Sequence, residues 1–194
     1  LLLLDYLRRR YALRCALYTN EMEAEELDLR SVAREAEIPY WRLSQGKLRD
    51  GEHERFVNAV KRLGSSYELI EAAGMTAQEI AQDIRREQWD VVVLDLLNGL
   101  PNSSETRHID ENVKTLAACS RQAKCHIIAT QHLNQHRHAG HVYPPEPVAA
   151  DLRGSGQIYD LANIVMFIYR CEDEDAPGEP SDEAVLKVAK ARGG

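Results

Sequence analysis

Polar side chains follow three apolar runs of this sequence, and their types suit phosphate chemistry. Glu21 follows the run at 15–19, Asp95 ends the run at 91–94, and Gln131 follows the run at 126–130. A carboxylate at the end of a strand can hold Mg²⁺, or a water bound to it, beside the phosphates of a nucleotide. Simpler interpretations exist, since Asp95 can cap a turn and Glu21 can stabilise a helix N-terminus. None of these residues by itself decides the function.

Two cations extend this set of candidates. Lys190 and Arg192 follow the last apolar run, at 185–189. In open parallel sheets, ligands bind beyond the carboxyl ends of the strands, so polar residues directly after a strand are the first to consider. Lys190 and Arg192 therefore join the three residues above as candidate site residues.

The elements that must position these residues alternate between helix and strand. The sequence predicts strands at 15–19, 67–70, 91–94, 126–130, 164–169 and 185–189, and helices at 1–13, 23–35, 51–63, from 76 onward and around 109–117. Thr76-Ala-Gln-Glu79 is a capping box, which predicts a helix that turns Ile80 and Ile84 inward. The runs at 91–94 and 126–130 are predicted to be central strands. This alternation predicts one α/β domain with a mostly parallel sheet and helices on both faces.

Charge and composition restrict the class of protein. The 24 Lys and Arg against 31 Asp and Glu give a formal net charge of −7, which argues against a protein that coats duplex DNA or an anionic membrane. Hydrophobic residues at 44% and charged residues at 28% exclude a chain that is disordered throughout. The 4 cysteines form no C-x-x-C pair and lie in or beside apolar segments. We therefore expect buried thiols in a reduced, cytoplasmic setting and no membrane partner.

Several motifs, in order along the chain, resemble those of one family. They are Thr-Asn-Glu-Met at 19–22, Val-Val-Val-Leu-Asp-Leu-Leu at 91–97, Ala-Thr-Gln-His-Leu-Asn at 129–134, Asp-Leu-Arg-Gly-Ser-Gly-Gln-Ile at 151–158 with Ile-Val-Met-Phe-Ile-Tyr-Arg at 164–170, and Lys-Ala-Arg-Gly-Gly at 190–194. Together they resemble the C-terminal ATPase domain of DnaB-type replicative helicases. The resemblance spans nearly the whole chain, and the block at 151–158 with the strand after it is its most specific part.

The resemblance implies a RecA-like fold and a homohexameric ring that hydrolyses ATP with Mg²⁺ at each subunit boundary to move on single-stranded DNA. By motif, Glu21 would polarise the attacking water, Asp95 would bind Mg²⁺ through water, and Gln131 would sense the γ-phosphate. Lys190 and Arg192 would reach the nucleotide of a neighbouring subunit, where an arginine stabilises charge on the transferring phosphoryl group.

The resemblance also implies a DNA-binding loop. Arg153, Gly154 and Gly156 match the loop that faces the channel of the ring, where side chains and backbone N–H groups contact DNA phosphates. The family carries an acidic residue where this chain has Gly154, so the details of the contact differ here. Primase or a helicase loader is a further partner that the resemblance suggests.

The phosphate-binding loop G-x-x-x-x-G-K-[ST], which in the family directly precedes the first helix, is absent from these 194 residues. No Met starts the chain, and the sequence opens inside an amphipathic helix. We therefore expect residues 1–194 to be an ATPase domain truncated before residue 1, inactive when isolated. Two alternatives stay open: a nucleotide-dead RecA-like ring or scaffold for replication or repair proteins, and a recombinase-type RecA-like ATPase.

Overall fold

The computed structural model describes residues 1–64, 67–103, 105–133, 146–152, 156–172 and 180–193. The helices are α1 (Leu2–Tyr11), α2 (Ala24–Glu35), α3 (Tyr40–Ser44), α4 (Glu52–Leu63), α5 (Ala77–Glu87), α6 (Thr106–Ala123) and α7 (Gly156–Leu161). The strands are β1 (Cys15–Thr19), β2 (Glu68–Glu71), β3 (Val91–Asp95), β4 (His126–Ala129), β5 (Ile164–Glu172) and β6 (Pro180–Ala191). Each predicted element overlaps an observed one, whereas α3 and α7 were not predicted.

The first four strands form one parallel sheet in the order β2-β1-β3-β4. In the β1–β3 pairing, Cys15 lies opposite Val91 and Thr19 lies opposite Asp95. Because all strands of a parallel sheet point the same way, the residues that follow β1, β3 and β4 lie along one edge of the sheet.

Helices cover both faces of this sheet, because successive side chains of a strand point to opposite faces. Ala16 and Tyr18 of β1 pack with Ile80 and Ile84 of α5. Leu17, on the other face of β1, packs in a second cluster whose other members include Leu4, Leu27 and Val91. The prediction of an α/β domain with helices on both faces is confirmed.

The capping box at the start of α5 forms as predicted. The Glu79 N–H donates to Thr76 Oγ1 at 3.2 Å, and the Thr76 N–H donates to Glu79 Oε2 at 2.8 Å. The second bond holds the pKa of the Glu79 carboxyl below its usual value, because the N–H stabilises the ionised form. Ile80 and Ile84 are fully buried, so the start signal and the inward face of this helix were both predicted correctly.

The position of β4 corrects the prediction of a second central strand at 126–130. β4 is the outermost strand of the four-stranded sheet, and in the described part of the chain β3 is the only strand that pairs with it. Ile128 is 36% exposed, and His126 and Ala129 are exposed. An apolar run indicates partial burial but not how many strands flank it, and β1 takes the second central position instead.

The last two strands form a separate antiparallel ribbon. Its pairing runs from Ile164 opposite Ala191 to Glu172 opposite Pro180, with register shifts between Val165 and Met166 and between Arg170 and Glu172. On β5, Val165 and Phe167 face the core, whereas the alternating Met166 and Ile168 are exposed. β6 is longer than the predicted strand at 185–189, and it brings the residues around 190–192 beside α7.

Three of the four cysteines are buried, and all four are free thiols. Burial raises the pKa of the Cys125 thiol to about 12 and also raises the pKa values of Cys15 and Cys119. Cys171 is exposed, which corrects the expectation of a buried thiol; it lies near the end of β5, where Arg170 is also exposed. No helix among the described residues is long and apolar enough to cross a membrane.

Candidate active site at the carboxyl ends of the strands

Glu21 and Asp95 lie at the carboxyl ends of two neighbouring strands. The last residue pair of the β1–β3 register is Thr19 with Asp95, and the Asn20 N–H donates to the Asp95 carbonyl at 2.9 Å. Glu21 is therefore the first residue beyond the backbone hydrogen bonds that join these strands. Its side chain is 52% exposed, so its carboxylate is accessible to a ligand at this edge.

The loop that carries Glu21 is fixed by Thr19. The Met22 N–H donates to Thr19 Oγ1 at 3.2 Å, and the Thr19 hydroxyl donates to the Met22 carbonyl at 2.9 Å. Thr19 is 1% exposed, so water does not compete for these bonds. The backbone on both sides of Glu21 is thus held while its carboxylate remains open to solvent.

Thr130 orients the Asp95 carboxylate. Its hydroxyl donates to Asp95 Oδ1, and its backbone N–H donates to the Leu94 carbonyl at 3.0 Å. The Leu97 N–H in turn donates to the Thr130 carbonyl at 2.9 Å. Thr130 was not among the candidate site residues, although its position directly before Gln131 at a strand end was an available signal.

Gln131 and His132 continue along the same edge. The side-chain oxygen of Gln131 is buried. His132 Nε2 lies 4.0 Å from Glu21 Oε1, and the His132 N–H donates to Asn98 Oδ1 at 3.4 Å. The structure thus brings Glu21, Asp95 and Gln131 to one edge of the sheet. His132, which was not among the candidate site residues, lies beside Glu21 there.

The N-terminal end of α1 lies within electrostatic range of this edge. The Leu1 nitrogen, directly before the first residue of α1, is near enough to interact electrostatically with the Asp95 carboxylate. The first turn of a helix has free N–H groups and a partial positive charge, and both favour anions. An anion bound between the N-terminal end of α1 and Asp95 would therefore be stabilised by this helix.

Lys190 and Arg192 contact a different part of the domain. Lys190 Nζ donates to the carbonyls of Tyr159 and Asp160, and Arg192 Nη2 also donates to the Asp160 carbonyl. The Arg192 N–H bonds to the Asn163 carbonyl at 2.8 Å. Cations are favoured at the carboxyl end of a helix, so within one chain these two side chains are held at the end of α7.

The predicted DNA-binding loop is described only at its two ends. Asp151 is fully buried and accepts a hydrogen bond from the Val148 N–H at 2.8 Å. Leu152 forms a β-bridge with Leu133, two residues beyond Gln131. Gly156 begins α7, and a Cβ built on it would meet no atom within 4 Å. Arg153 and Gly154 lie outside the described residues.

The single carboxylate of Asp95 fits a magnesium ion that is also bound by a phosphate ligand. Among the described residues, no group of three or more His, Cys, Asp or Glu side chains could hold a metal ion. Mg²⁺ keeps several waters and is often bound by one or two carboxylates together with substrate phosphates. Asp95, a single carboxylate held in place by Thr130, suits that manner of binding.

Most of the chain is similar in sequence to known proteins. The chain is 27% identical over 189 residues to the replicative DNA helicase DnaC of Bacillus subtilis (strain 168), and the match covers 92% of this chain and 41% of that protein. It is 26% identical over 189 residues to the replicative DNA helicase DnaB of Geobacillus stearothermophilus, with the same two coverages, 92% and 41%. The chain thus spans about two fifths of the length of these relatives.

Solved structures share the fold. A solved ATPase domain matches with a TM-score of 0.82 at 22% identity, covering 94% of this chain and 68% of that one. A DnaB-like replicative helicase, whose interactions with primase were also described, matches with a TM-score of 0.81 at 21% identity, covering 94% and 46%. The chain therefore has the RecA-like α/β fold of these two proteins, as the sequence predicted.

The family follows from the sequence match. The DnaB-like helicase C-terminal domain family matches residues 3–194. The chain belongs to this family, and the family that the motifs indicated is confirmed.

Proposed function

We propose that these residues form the motor domain of a hexameric replicative helicase, which couples ATP hydrolysis to movement on single-stranded DNA and unwinds duplex DNA. The observation that carries the proposal is the set of residues Glu21, Asp95 and Gln131 at the carboxyl ends of β1, β3 and β4. Phosphoryl transfer depends mainly on positioning and charge stabilisation. These three side chains would position the water, Mg²⁺ and the phosphate, and the charge would be stabilised by Mg²⁺ and by cations such as Arg192.

Each residue of this edge has a distinct task in the proposal. Glu21 accepts a proton from the attacking water, for which its exposed carboxylate is suited. Asp95 would hold Mg²⁺ through water, and Thr130 fixes the direction of that carboxylate. Gln131 contacts the γ-phosphate. Bound Mg²⁺ neutralises charge that develops on the phosphate oxygens.

The phosphate-binding loop is proposed to lie in a segment that precedes Leu1 in the gene product. The motif G-x-x-x-x-G-K-[ST] is not found in the 194 residues. The N-terminal end of α1 lies within range of the Asp95 charge, and a loop that leads into a helix N-terminus offers backbone N–H groups to phosphates. A segment that enters α1 would therefore meet the phosphates of a nucleotide bound at this edge.

Assembly into a homohexamer is proposed to complete the site. Lys190 and Arg192 then stabilise the transition state in the nucleotide site of the adjacent subunit, and they exchange their contacts with the carboxyl end of α7 for phosphate oxygens. The proposed partners are single-stranded DNA and primase or a helicase loader, and the proposed location is the cytoplasm.

The proposal is tested by comparing the full-length gene product with the isolated 194 residues. We expect the full-length protein to assemble into a hexamer, to hydrolyse ATP and to unwind a forked duplex, because it supplies the phosphate cradle. The isolated chain is expected to bind ATP very weakly and not to hydrolyse it. A full-length protein that forms rings without hydrolysing ATP would instead support a nucleotide-dead scaffold.

DNA binding is expected to depend on Arg153. In the full-length hexamer with nucleotide, Arg153→Ala should weaken oligo-dT binding equally across sequences, because phosphate contacts carry no sequence information. The slope of log affinity against log salt should become shallower by about 0.7 for each lost contact, so by about 4 for six subunits. Fluorescence anisotropy against salt measures this change, with ring assembly checked in parallel. An unchanged slope and affinity in an intact ring would leave Arg153 a structural role only.

A further inference from the structure

Asn20 joins the ends of the two strands that carry Glu21 and Asp95. Its side-chain amide donates to the Leu96 carbonyl at 2.9 Å and accepts from the Leu96 N–H at 2.8 Å. Its backbone N–H donates to the Asp95 carbonyl at 2.9 Å. Three hydrogen bonds therefore join Asn20, the residue directly before Glu21, to Asp95 and Leu96.

At one position beside this amide there is room only for glycine. A Cβ added to Gly99 would lie 2.3 Å from Asn20 Oδ1 and 2.8 Å from its Cγ. Gly99 does not have a positive φ, so its backbone would accept alanine. The two side-chain hydrogen bonds prevent the Asn20 amide from moving aside without loss. Contact with Asn20 is thus the reason that a side chain is excluded at Gly99.

We propose that Asn20 is a positioning residue that sets the distance between the Glu21 carboxylate and the Asp95 carboxylate, and that Gly99 is required to leave room for it. This inference rests on the proposed function. The Leu96 backbone lies beyond the last pair of the β1–β3 ladder, Thr19 with Asp95. Without the amide, one hydrogen bond, from the Asn20 N–H, would remain where three now join these ends.

The position of Glu21 depends on both of its neighbours along the chain. Thr19 fixes the loop through its two hydrogen bonds to Met22, but these bonds are internal to residues 19–22. The Asn20 side chain reaches from this loop to Leu96, directly after β3. It therefore controls where the whole loop lies relative to Asp95, whereas Thr19 controls its internal shape.

The test uses the full-length gene product and measures kcat and KM for ATP, the thermal midpoint and ring assembly. Asn20→Ala is expected to lower kcat by about 10- to 100-fold, since a misplacement of about 1 Å is sufficient for such a loss. KM should change by less than about threefold, because the interaction is used in the transition state. Gly99→Ala should have an effect of the same size. Asn58→Ala, on the exposed face of α4, serves as the matched control and should have no effect.

Two double variants separate positioning from a general loss of stability. In Asn20→Ala, the added Gly99→Ala change should cost nothing further, because the amide that it collides with is gone. In a Glu21→Gln protein, Asn20→Ala should leave the residual rate unchanged, because Asn20 acts through Glu21. If Asn20→Ala does not fold, Asn20→Asp takes its place; it keeps the acceptor for the Leu96 N–H but sets a carboxylate oxygen against the Leu96 carbonyl.

Failure of this inference is distinguishable from failure of the proposed function. If the wild-type protein hydrolyses ATP and Glu21→Gln does not, a wild-type kcat in Asn20→Ala overturns the positioning role alone. So does a further loss when Asn20→Ala is added to Glu21→Gln, or a parallel rise in KM. If the wild-type protein lacks ATPase activity, or Glu21→Gln retains full activity, the proposed function fails and this inference fails with it.

Discussion

A Glu21→Gln substitution in the full-length gene product is expected to lower ATP turnover by about 10²- to 10⁴-fold, the usual contribution of a general base. Nucleotide affinity should stay close to the wild-type value, because the amide keeps the size of the side chain and the phosphates are bound elsewhere. The structure supports this separation, since Glu21 is exposed and the loop around it is fixed by Thr19 rather than by its own carboxylate. Steady-state ATPase assays and binding of a fluorescent nucleotide measure the two effects.

Glu23→Gln is the matched control for this experiment. Glu23 is also exposed, lies two residues away and makes no side-chain cap to α2, so the same chemical change there should leave turnover unaltered. Equal losses in the two variants would point to a general charge effect at this loop. Full turnover in Glu21→Gln would remove Glu21 from the catalytic role.

An Arg192→Ala substitution is expected to lower turnover by about 10³- to 10⁵-fold, the range for an arginine supplied across a subunit boundary. ATP affinity should fall much less, because the guanidinium stabilises charge that develops in the transition state. Within one chain the Arg192 guanidinium bonds to the Asp160 carbonyl at the end of α7, so catalysis requires that the neighbouring site compete for it. Arg121→Ala, at an exposed position of α6, is the matched control.

Mixed rings show whether Arg192 acts in its own subunit or in the next. When Arg192→Ala subunits are mixed with Glu21→Gln subunits, some boundaries combine an intact Glu21 with an intact Arg192. Activity should then rise above the small residual rate that each variant shows alone. No recovery, under conditions where labelled subunits exchange, would show that Arg192 works within its own chain.

The sequence was sufficient to predict most of the elements, the family and the edge of the sheet at which Glu21, Asp95 and Gln131 lie. Local interactions explain this success. The capping box at Thr76 forms between residues three apart, and the run at 91–94 is buried because its side chains are apolar on both faces. Strand direction then aligned Glu21 with Asp95, since parallel strands end at a common edge.

Tertiary structure decided the features that depend on residues distant in the sequence. The outermost position of β4 in the sheet depends on which strands pair with it. An apolar run does not encode how many strands will flank it. The separate ribbon of β5 and β6 likewise depends on pairing between strands. For the same reason Lys190 and Arg192, predicted to extend toward another subunit, contact the end of α7 within this chain.

The supporting contacts of the site were also decided by the fold alone. Asn20 meets Leu96 across 76 positions of sequence, and Thr130 meets Asp95 across 35. An asparagine after a strand is common in turns, and the sequence does not tell which backbone groups its amide will reach. The chemistry proposed for Glu21 and Asp95 could be inferred from the sequence because it depends on residue type. The spacing between them was not, because it is set by hydrogen bonds that form only when β1, β3 and β4 lie side by side.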